Sequence, residues 1–234
     1  ITPKTKMLVL TTPSNPTGMV YSKSELESIA EILKNTNIWV ISDEIYEKLV
    51  YDGGFTSCGS ISQDMLERTI TINGLSKAVA MTGWRMGYLA TKDKKLRQLI
   101  INLQSQCISN INSITQKASI PALDGRAETE ILRMQKAFKE RRDIACKLFN
   151  EIEGLNVSIP DGAFYLFVNC STINPDSMAF SKALLEKEGV AVVPGIGFGM
   201  DGYFRFSFAT DLQSIKAGIQ RISNFCKANK PKQD

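Results

Sequence analysis

Thr69-Ile70-Thr71-Ile72-Asn73-Gly74-Leu75-Ser76-Lys77 leads from a β-branched strand into a turn, and Met81-Thr82-Gly83-Trp84-Arg85-Met86 then leads to a returning apolar run, Gly87-Tyr88-Leu89-Ala90. A lysine at the tip of a strand, with an arginine eight residues on, suits a carbonyl cofactor that also carries a phosphate, the combination found in pyridoxal phosphate. A lysine amine in water titrates near about 10.4, so only about one in a few thousand is neutral at pH 7. Burial or a neighbouring cation has to lower that value before the amine can form an imine.

Outward from this stretch, short apolar runs alternate with helical patterns, the sequence sign of a parallel sheet wrapped by helices. Met7-Leu8-Val9-Leu10 reads as a buried strand. Ser22-Lys23-Ser24-Glu25 is a capping box, and Leu26, Ile29, Ala30 and Leu33 then fall on one helical face. Ile38-Trp39-Val40-Ile41 is a second buried strand, Thr69-Ile70-Thr71-Ile72 a third, and Gly87-Tyr88-Leu89-Ala90 a fourth that runs back from the lysine turn. Over 121–127 the pattern changes to a turn, after which Ile131, Met134, Phe138, Ile144, Leu148 and Ile152 mark a long helix. Strands are expected over 155–159, 163–168, 190–193 and 203–208, with a helix over 177–187 and a last helix from Asp211. The expected class is therefore α/β: a mostly parallel sheet domain over 1–126 and a smaller α+β domain over 127–234, ending in a polar, frayed tail at 230–234.

Composition removes whole chemistries. The 234 residues include no histidine, which excludes a Ser-His-Asp triad, a Cys-His pair and a histidine-ligated zinc site. The five cysteines (Cys58, Cys107, Cys146, Cys170, Cys226) are far apart and odd in number, so neither a disulfide framework nor a metal site is indicated, and a reducing, cytoplasmic setting is expected. No apolar run is long enough to span a bilayer. With 28 basic and 24 acidic residues the net charge is +4. The densest basic run, 139–142, is interrupted by Glu140 and reads as a solvated helix face, so no nucleic-acid partner is expected.

Ligands of open α/β sheets gather beyond the carboxyl ends of the strands. The segments that follow the first three strands are Thr12-Pro13-Ser14-Asn15-Pro16-Thr17-Gly18, Ser42-Asp43-Glu44-Ile45-Tyr46 and Asn73-Gly74-Leu75-Ser76-Lys77. An amide, a carboxylate, a phenol and an amine would converge there. Each has a plainer alternative: Asn-Pro-Thr-Gly is ordinary turn composition, Asp43 can cap a helix through Glu44, Tyr46 and Leu49, Tyr46 can be core, Lys77 a surface lysine, and Arg85 a salt-bridge partner. Their order at successive strand ends favours a site.

These motifs resemble the fold-type I pyridoxal-phosphate enzymes, specifically the class I aminotransferases near the bacterial aspartate aminotransferases. Asn15-Pro16-Thr17-Gly18, Asp43-Glu44-Ile45-Tyr46, Ser76-Lys77 with Met81-Thr82-Gly83-Trp84-Arg85, and Arg205 within Tyr203-Phe204-Arg205-Phe206-Ser207 match that family in order and approximate spacing, from about Met7 to Phe225. The resemblance implies that Lys77 forms the internal aldimine and moves the substrate proton, while Asp43 pairs with the protonated pyridine nitrogen. Tyr46 and Asn15 would bond the phenolic oxygen, Arg85 and Ser76 the phosphate, and Arg205 (with Asn15) the substrate α-carboxylate. It also implies amino-acid and 2-oxo-acid substrates, aspartate among them, and assembly as a homo-oligomer.

Two departures stand out. Many relatives carry a hydroxyl residue three before the lysine, where this chain has Gly74. The chain also begins at Ile1, a short step before the first strand, and reads as the carboxyl-terminal part of such an enzyme, with an unpaired sheet edge and exposed apolar surface. A lyase or synthase on the same scaffold, and a non-catalytic fragment, are the alternatives. Gly195-Ile196-Gly197-Phe198-Gly199 follows Pro194 and lacks the spacing of a dinucleotide fingerprint; it and Gly162-Ala163-Phe164-Tyr165 read as architectural.

Overall fold

The structure, a computed structural model, describes residues 1–229; the tail at 230–234, expected to fray, lies outside the described residues. The chain divides into two compact units: Ile1–Pro13 with Met19–Arg133, and Ser14–Gly18 with Met134 onward.

In the first unit β1 (Met7–Thr11), β2 (Trp39–Asp43), β3 (Thr69–Gly74) and β4 (Gly87–Ala90) form a sheet in that order, parallel from β1 to β3 and antiparallel at β4. This is the expected mostly parallel α/β sheet with a returning fourth strand. Helix α1 (Lys23–Leu33) opens on the expected capping box: Ser22 Oγ accepts the Glu25 N–H and the Glu25 carboxylate accepts the Ser22 N–H. Its Leu26 and Leu33 join Leu10, Ile38, Val40, Cys58 and Met65 in one apolar cluster, with Met65 supplied by α2 (Gln63–Arg68).

Only one face of β1 is covered, which corrects the expectation of a buried strand. Side chains alternate across a strand; Leu8 and Leu10 face the cluster, whereas Val9 is 63% exposed on the other side. All four residues of β4 are exposed too. After the one-turn α3 (Leu75–Ala78) and β4 come α4 (Lys94–Cys107) and α5 (Ser113–Leu123), neither of them among the expected elements. Pro121 lies inside α5, not in the turn expected over 121–127. It stands in the last turn, where its missing N–H leaves the carbonyl of Lys117 without its i→i−4 partner and weakens the helix end, and the chain reverses over 124–127.

The long helix is α6 (Glu128–Asn150). In the second unit β5 (Tyr165–Asn169), β6 (Val193–Pro194) and β7 (Tyr203–Ser207) form an antiparallel sheet ordered β5-β7-β6, flanked by α7 (Ser177–Glu188) and α8 (Leu212–Ala228). Leu166, Val168, Phe204 and Phe206 line its core face. There Phe204 stacks on Phe180 at 5.2 Å between ring centroids, and Phe149 meets Phe206 edge-on at 5.0 Å.

Two expected strands shrink in this unit. Over 155–159 there is only an isolated bridge, Asn156 to Asn169, because the Asn150 side chain satisfies both the N–H and the C=O of Val157, at 2.9 and 3.0 Å. Over 190–193 only Val193 pairs, as the start of the two-residue β6. The run 139–142 is not wholly solvated either. Arg142 is 3% exposed, its guanidinium donating to Pro160 O at 2.9 Å and pairing with Asp143. A long side chain whose charged end finds a carbonyl and a carboxylate can be buried.

Candidate active site

Asp43 ends β2 with its backbone held from both sides. Thr12 N–H donates to Asp43 O at 3.0 Å and Glu44 N–H donates to Ile72 O at 2.9 Å, so β1 and β3 clamp the strand end. Asp43 Oδ1 accepts the Ile45 N–H at 3.2 Å. This makes a tight turn rather than the cap of a helix, the plainer alternative for this residue, and Tyr46 is buried in that turn.

Glu44 is a residue whose weight the sequence did not show. It is 2% exposed, and its Oε1 accepts the Ser42 hydroxyl at 2.8 Å, the Ser57 hydroxyl at 3.0 Å and the Cys58 N–H at 3.0 Å. It therefore ties the strand end to the short 3-10 turn Cys58–Ser60. Burial raises its pKa, and the three hydrogen bonds offset that only in part. Burial, helped by Glu44, also pushes the Cys58 thiol up to about 11.

A carboxyl whose folded pKa is raised contributes stability that is full below its unfolded value, near about 4.3, and is lost as pH rises through the folded value. Glu44→Gln keeps a carbonyl acceptor and removes the titration. Wild type is thus expected to lose stability relative to E44Q as pH rises above about 4.3, read from urea midpoints of both proteins along that rise.

The lysine loop is closed on itself. Leu75 N–H donates to Met86 O at 3.2 Å, Met81 N–H to Leu75 O at 3.0 Å and Thr82 Oγ1 to Ser76 O at 2.8 Å, while the Arg85 guanidinium reaches back to Thr82 O at 3.0 Å. From α5, Thr115 Oγ1 donates to Trp84 O at 3.3 Å. Ala80 and Arg85 both sit in the left-handed region at φ 54°, uncommon for residues with a Cβ and costing about 1–3 kcal/mol each where the surroundings enforce it. Ser76 and Lys77 are half-buried and Arg85 is exposed.

Gly74 has a packing reason. A Cβ there would stand 2.9 Å from Met86 O and 3.2 Å from Gly87 Cα, so the close β3–β4 pairing leaves no room for the hydroxyl residue that resemblance led one to expect. Gly74→Ser is expected to destabilise the chain by about 1–3 kcal/mol, since the obstruction is backbone and cannot swing away; urea unfolding measures it.

In the second unit the structure joins two residues 190 positions apart: Arg205 Nη1 donates to Asn15 Oδ1 at 2.8 Å. The Asn15-Pro16-Thr17-Gly18 turn is held by Gly18 N–H to Ser14 O at 2.9 Å and by Gly162 N–H to Gly18 O at 2.8 Å. Arg205 lies on β7, the central strand, opposite Phe167 of β5 and Val193 of β6. Its Nε is buried without a hydrogen-bond partner among the described residues. A charged donor left unpaired costs stability, so this side chain is not explained by the needs of the fold. Thus Asp43, Tyr46, Ser76, Lys77 and Arg85 belong to the first unit, and Asn15 and Arg205 to the second.

A strand-end carboxylate beside the strand that delivers an amine, on a mostly parallel sheet with a separate antiparallel unit, defines a class of protein, and comparison with known proteins agrees. The family model for aminotransferase class I and II matches residues 1–222; the chain belongs to that family. It is 43% identical over 240 residues to a probable aspartate/prephenate aminotransferase of Rickettsia prowazekii, covering 97% of this chain and 60% of that protein. It is 44% identical to an asparagine–oxo-acid transaminase of Streptococcus mutans, covering 96% of this chain and 58% of that protein. The crystal structure of the aspartate aminotransferase from Rhizobium meliloti superposes with a TM-score of 0.93 at 36% identity, over 99% of this chain and 60% of that one. The chain thus spans about 60% of the length of the relatives it matches.

Among the described residues no helix is long and apolar enough to cross a membrane, and no cluster of three His, Cys, Asp or Glu could hold a metal.

Proposed function

We propose that this chain serves a pyridoxal-phosphate-dependent aminotransferase that passes an amino group between an amino acid, aspartate first among candidates, and a 2-oxo acid. The observation that carries the proposal is the register Asp43 to Ile72, which sets a clamped carboxylate beside the strand that runs directly into Ser76-Lys77.

The donor set fits the cofactor. Lys77 supplies the amine for its aldehyde, Asp43 a carboxylate for its ring N–H, Tyr46 and Asn15 hydrogen bonds for its phenolic oxygen, and Arg85 with Ser76 the cation and hydroxyl for its phosphate. When bound, pyridoxal phosphate supplies an electron sink for the substrate α-carbon. Lys77 is the base that takes the proton from that carbon and returns it. Asp43 would hold the cofactor through its ring N–H. Arg205 receives the substrate α-carboxylate and Asn15 steadies it. In this proposal residues 1–126 are the cofactor side, 127–234 the smaller domain, and the active assembly is a homo-oligomer.

The test is direct. Pyridoxal phosphate followed by borohydride should leave a stable phosphopyridoxyl label on Lys77, found by peptide mass mapping; a label on other lysines, or none, would overturn the assignment. Release of ammonia and pyruvate from the amino acid without an oxo-acid acceptor would point to a lyase instead.

A further inference from the structure

We propose that Tyr165 and Phe198 are positioning residues that hold the Arg205 guanidinium as a flat, preset receiver for a substrate carboxylate; this rests on the carboxylate role given to Arg205 above. The antiparallel pairing sets Phe167 opposite Arg205, and Tyr165, two residues earlier on β5, shares that face. Arg205 Cζ lies 4.4 Å from the Tyr165 ring centroid and 5.3 Å from that of Phe198, well inside cation–π range. Phe198 comes from the 3-10 turn Gly195–Phe198 that follows β6. Phe167 meets it edge-on at 6.1 Å and itself stacks on Tyr203 at 4.9 Å, so the bracket is backed by further rings.

What holds the cation matters as much as how firmly it is held. Among the described residues Arg205 makes no ion pair; its neighbours are two π faces and one amide oxygen. Rings attract a guanidinium without neutralising it, whereas a carboxylate neighbour would compete with the ligand. The rings and Asn15 also restrict a side chain with many rotamers before the ligand arrives, which lowers the entropy lost on binding. The start of β5, which follows Gly162, and the Gly195–Phe198 turn are thereby tied to recognition as well as to architecture.

The experiment compares wild type with Tyr165→Phe, Tyr165→Leu, Phe198→Leu and Arg205→Lys. Calorimetry with succinate, a non-reacting dicarboxylate, reads affinity, and NMR of arginine-labelled protein reads rotation of the Arg205 guanidinium. Y165L and F198L are expected to weaken succinate about 3- to 10-fold each and to speed guanidinium rotation. Y165F, which keeps the ring, should match wild type in both readouts, and all variants should still take the borohydride label on Lys77. Should Y165L fail to fold, F198L at its half-buried site carries the comparison. If R205K loses succinate but F198L and Y165L bind it like wild type with unchanged rotation, the bracket is overturned while the Arg205 assignment stands. If wild type binds no succinate, or R205K binds it equally well, the Arg205 assignment fails and the bracket with it. Loss of the Lys77 label with succinate binding intact would overturn the cofactor assignment alone.

Discussion

If Lys77 has the role proposed for it, alanine there is expected to abolish borohydride-stable capture of pyridoxal phosphate and to lower amino transfer by at least about four orders of magnitude, because the proposed nucleophile and proton carrier would be lost together. Arginine there should fare no better: a guanidinium keeps the charge but does not deprotonate to attack an aldehyde. Neither change should unfold the chain. Lys77 is half-buried within the one-turn α3, and the loop around it is closed by hydrogen bonds that Lys77 does not make, Leu75 N–H to Met86 O and Thr82 Oγ1 to Ser76 O. A stability loss under about 1 kcal/mol is expected in urea melts. Capture of the cofactor is the deciding readout, since the chain spans about 60% of the length of its relatives.

Gly18→Ala is expected to cost about 2–5 kcal/mol, the largest stability loss among the substitutions considered, and urea midpoints would read it. Gly18 has φ +69°, and a Cβ there would press on Pro160 Cβ and stand 2.6 Å from Gly162 O. Left-handed backbone costs a residue with a Cβ about 1–2 kcal/mol, and forcing a methyl against a proline ring and a backbone carbonyl adds about 1–3 kcal/mol. The Gly162 N–H to Gly18 O bond would stretch as well. Since Asn15 belongs to the same turn and accepts from Arg205, succinate affinity should fall with stability. A G18A protein as stable as wild type would show that the turn can move without consequence.

Much of this was legible in the residues. The β-branched run before Asn73 and the capping box at Ser22 predict β3 and α1 directly, because each is a local preference that the packing then endorses. The helix α4 was missed although Asp93 caps it and Leu96, Leu99, Ile100 and Leu103 recur at helical spacing; that signal was present. The open face of β1 was not readable, because Met7-Leu8-Val9-Leu10 is equally apolar on both sides and only the placement of α1 decides which side is covered. The role of Glu44 was hidden for a similar reason. Its donors, Ser57 and Cys58, lie 13 and 14 positions away with no periodicity to announce them. The ring bracket on Arg205 depends on strand register and on a turn after β6, both tertiary facts. Asn-Pro-Thr-Gly stood out by its place after the first strand, but the contact of its amide with a guanidinium 190 positions away is a tertiary fact.

The buried Arg142 has a mechanical consequence. From the middle of α6 it grips Pro160 O; Pro160 and Gly162 abut the glycine that closes the Asn15 turn, and Asn15 in turn grips Arg205. These links join α6 to the Arg205 guanidinium through Pro160, Gly162 and the Asn15 turn. In the proposed reading, a shift of α6 along its axis would therefore be felt at the guanidinium through an unbroken run of contacts.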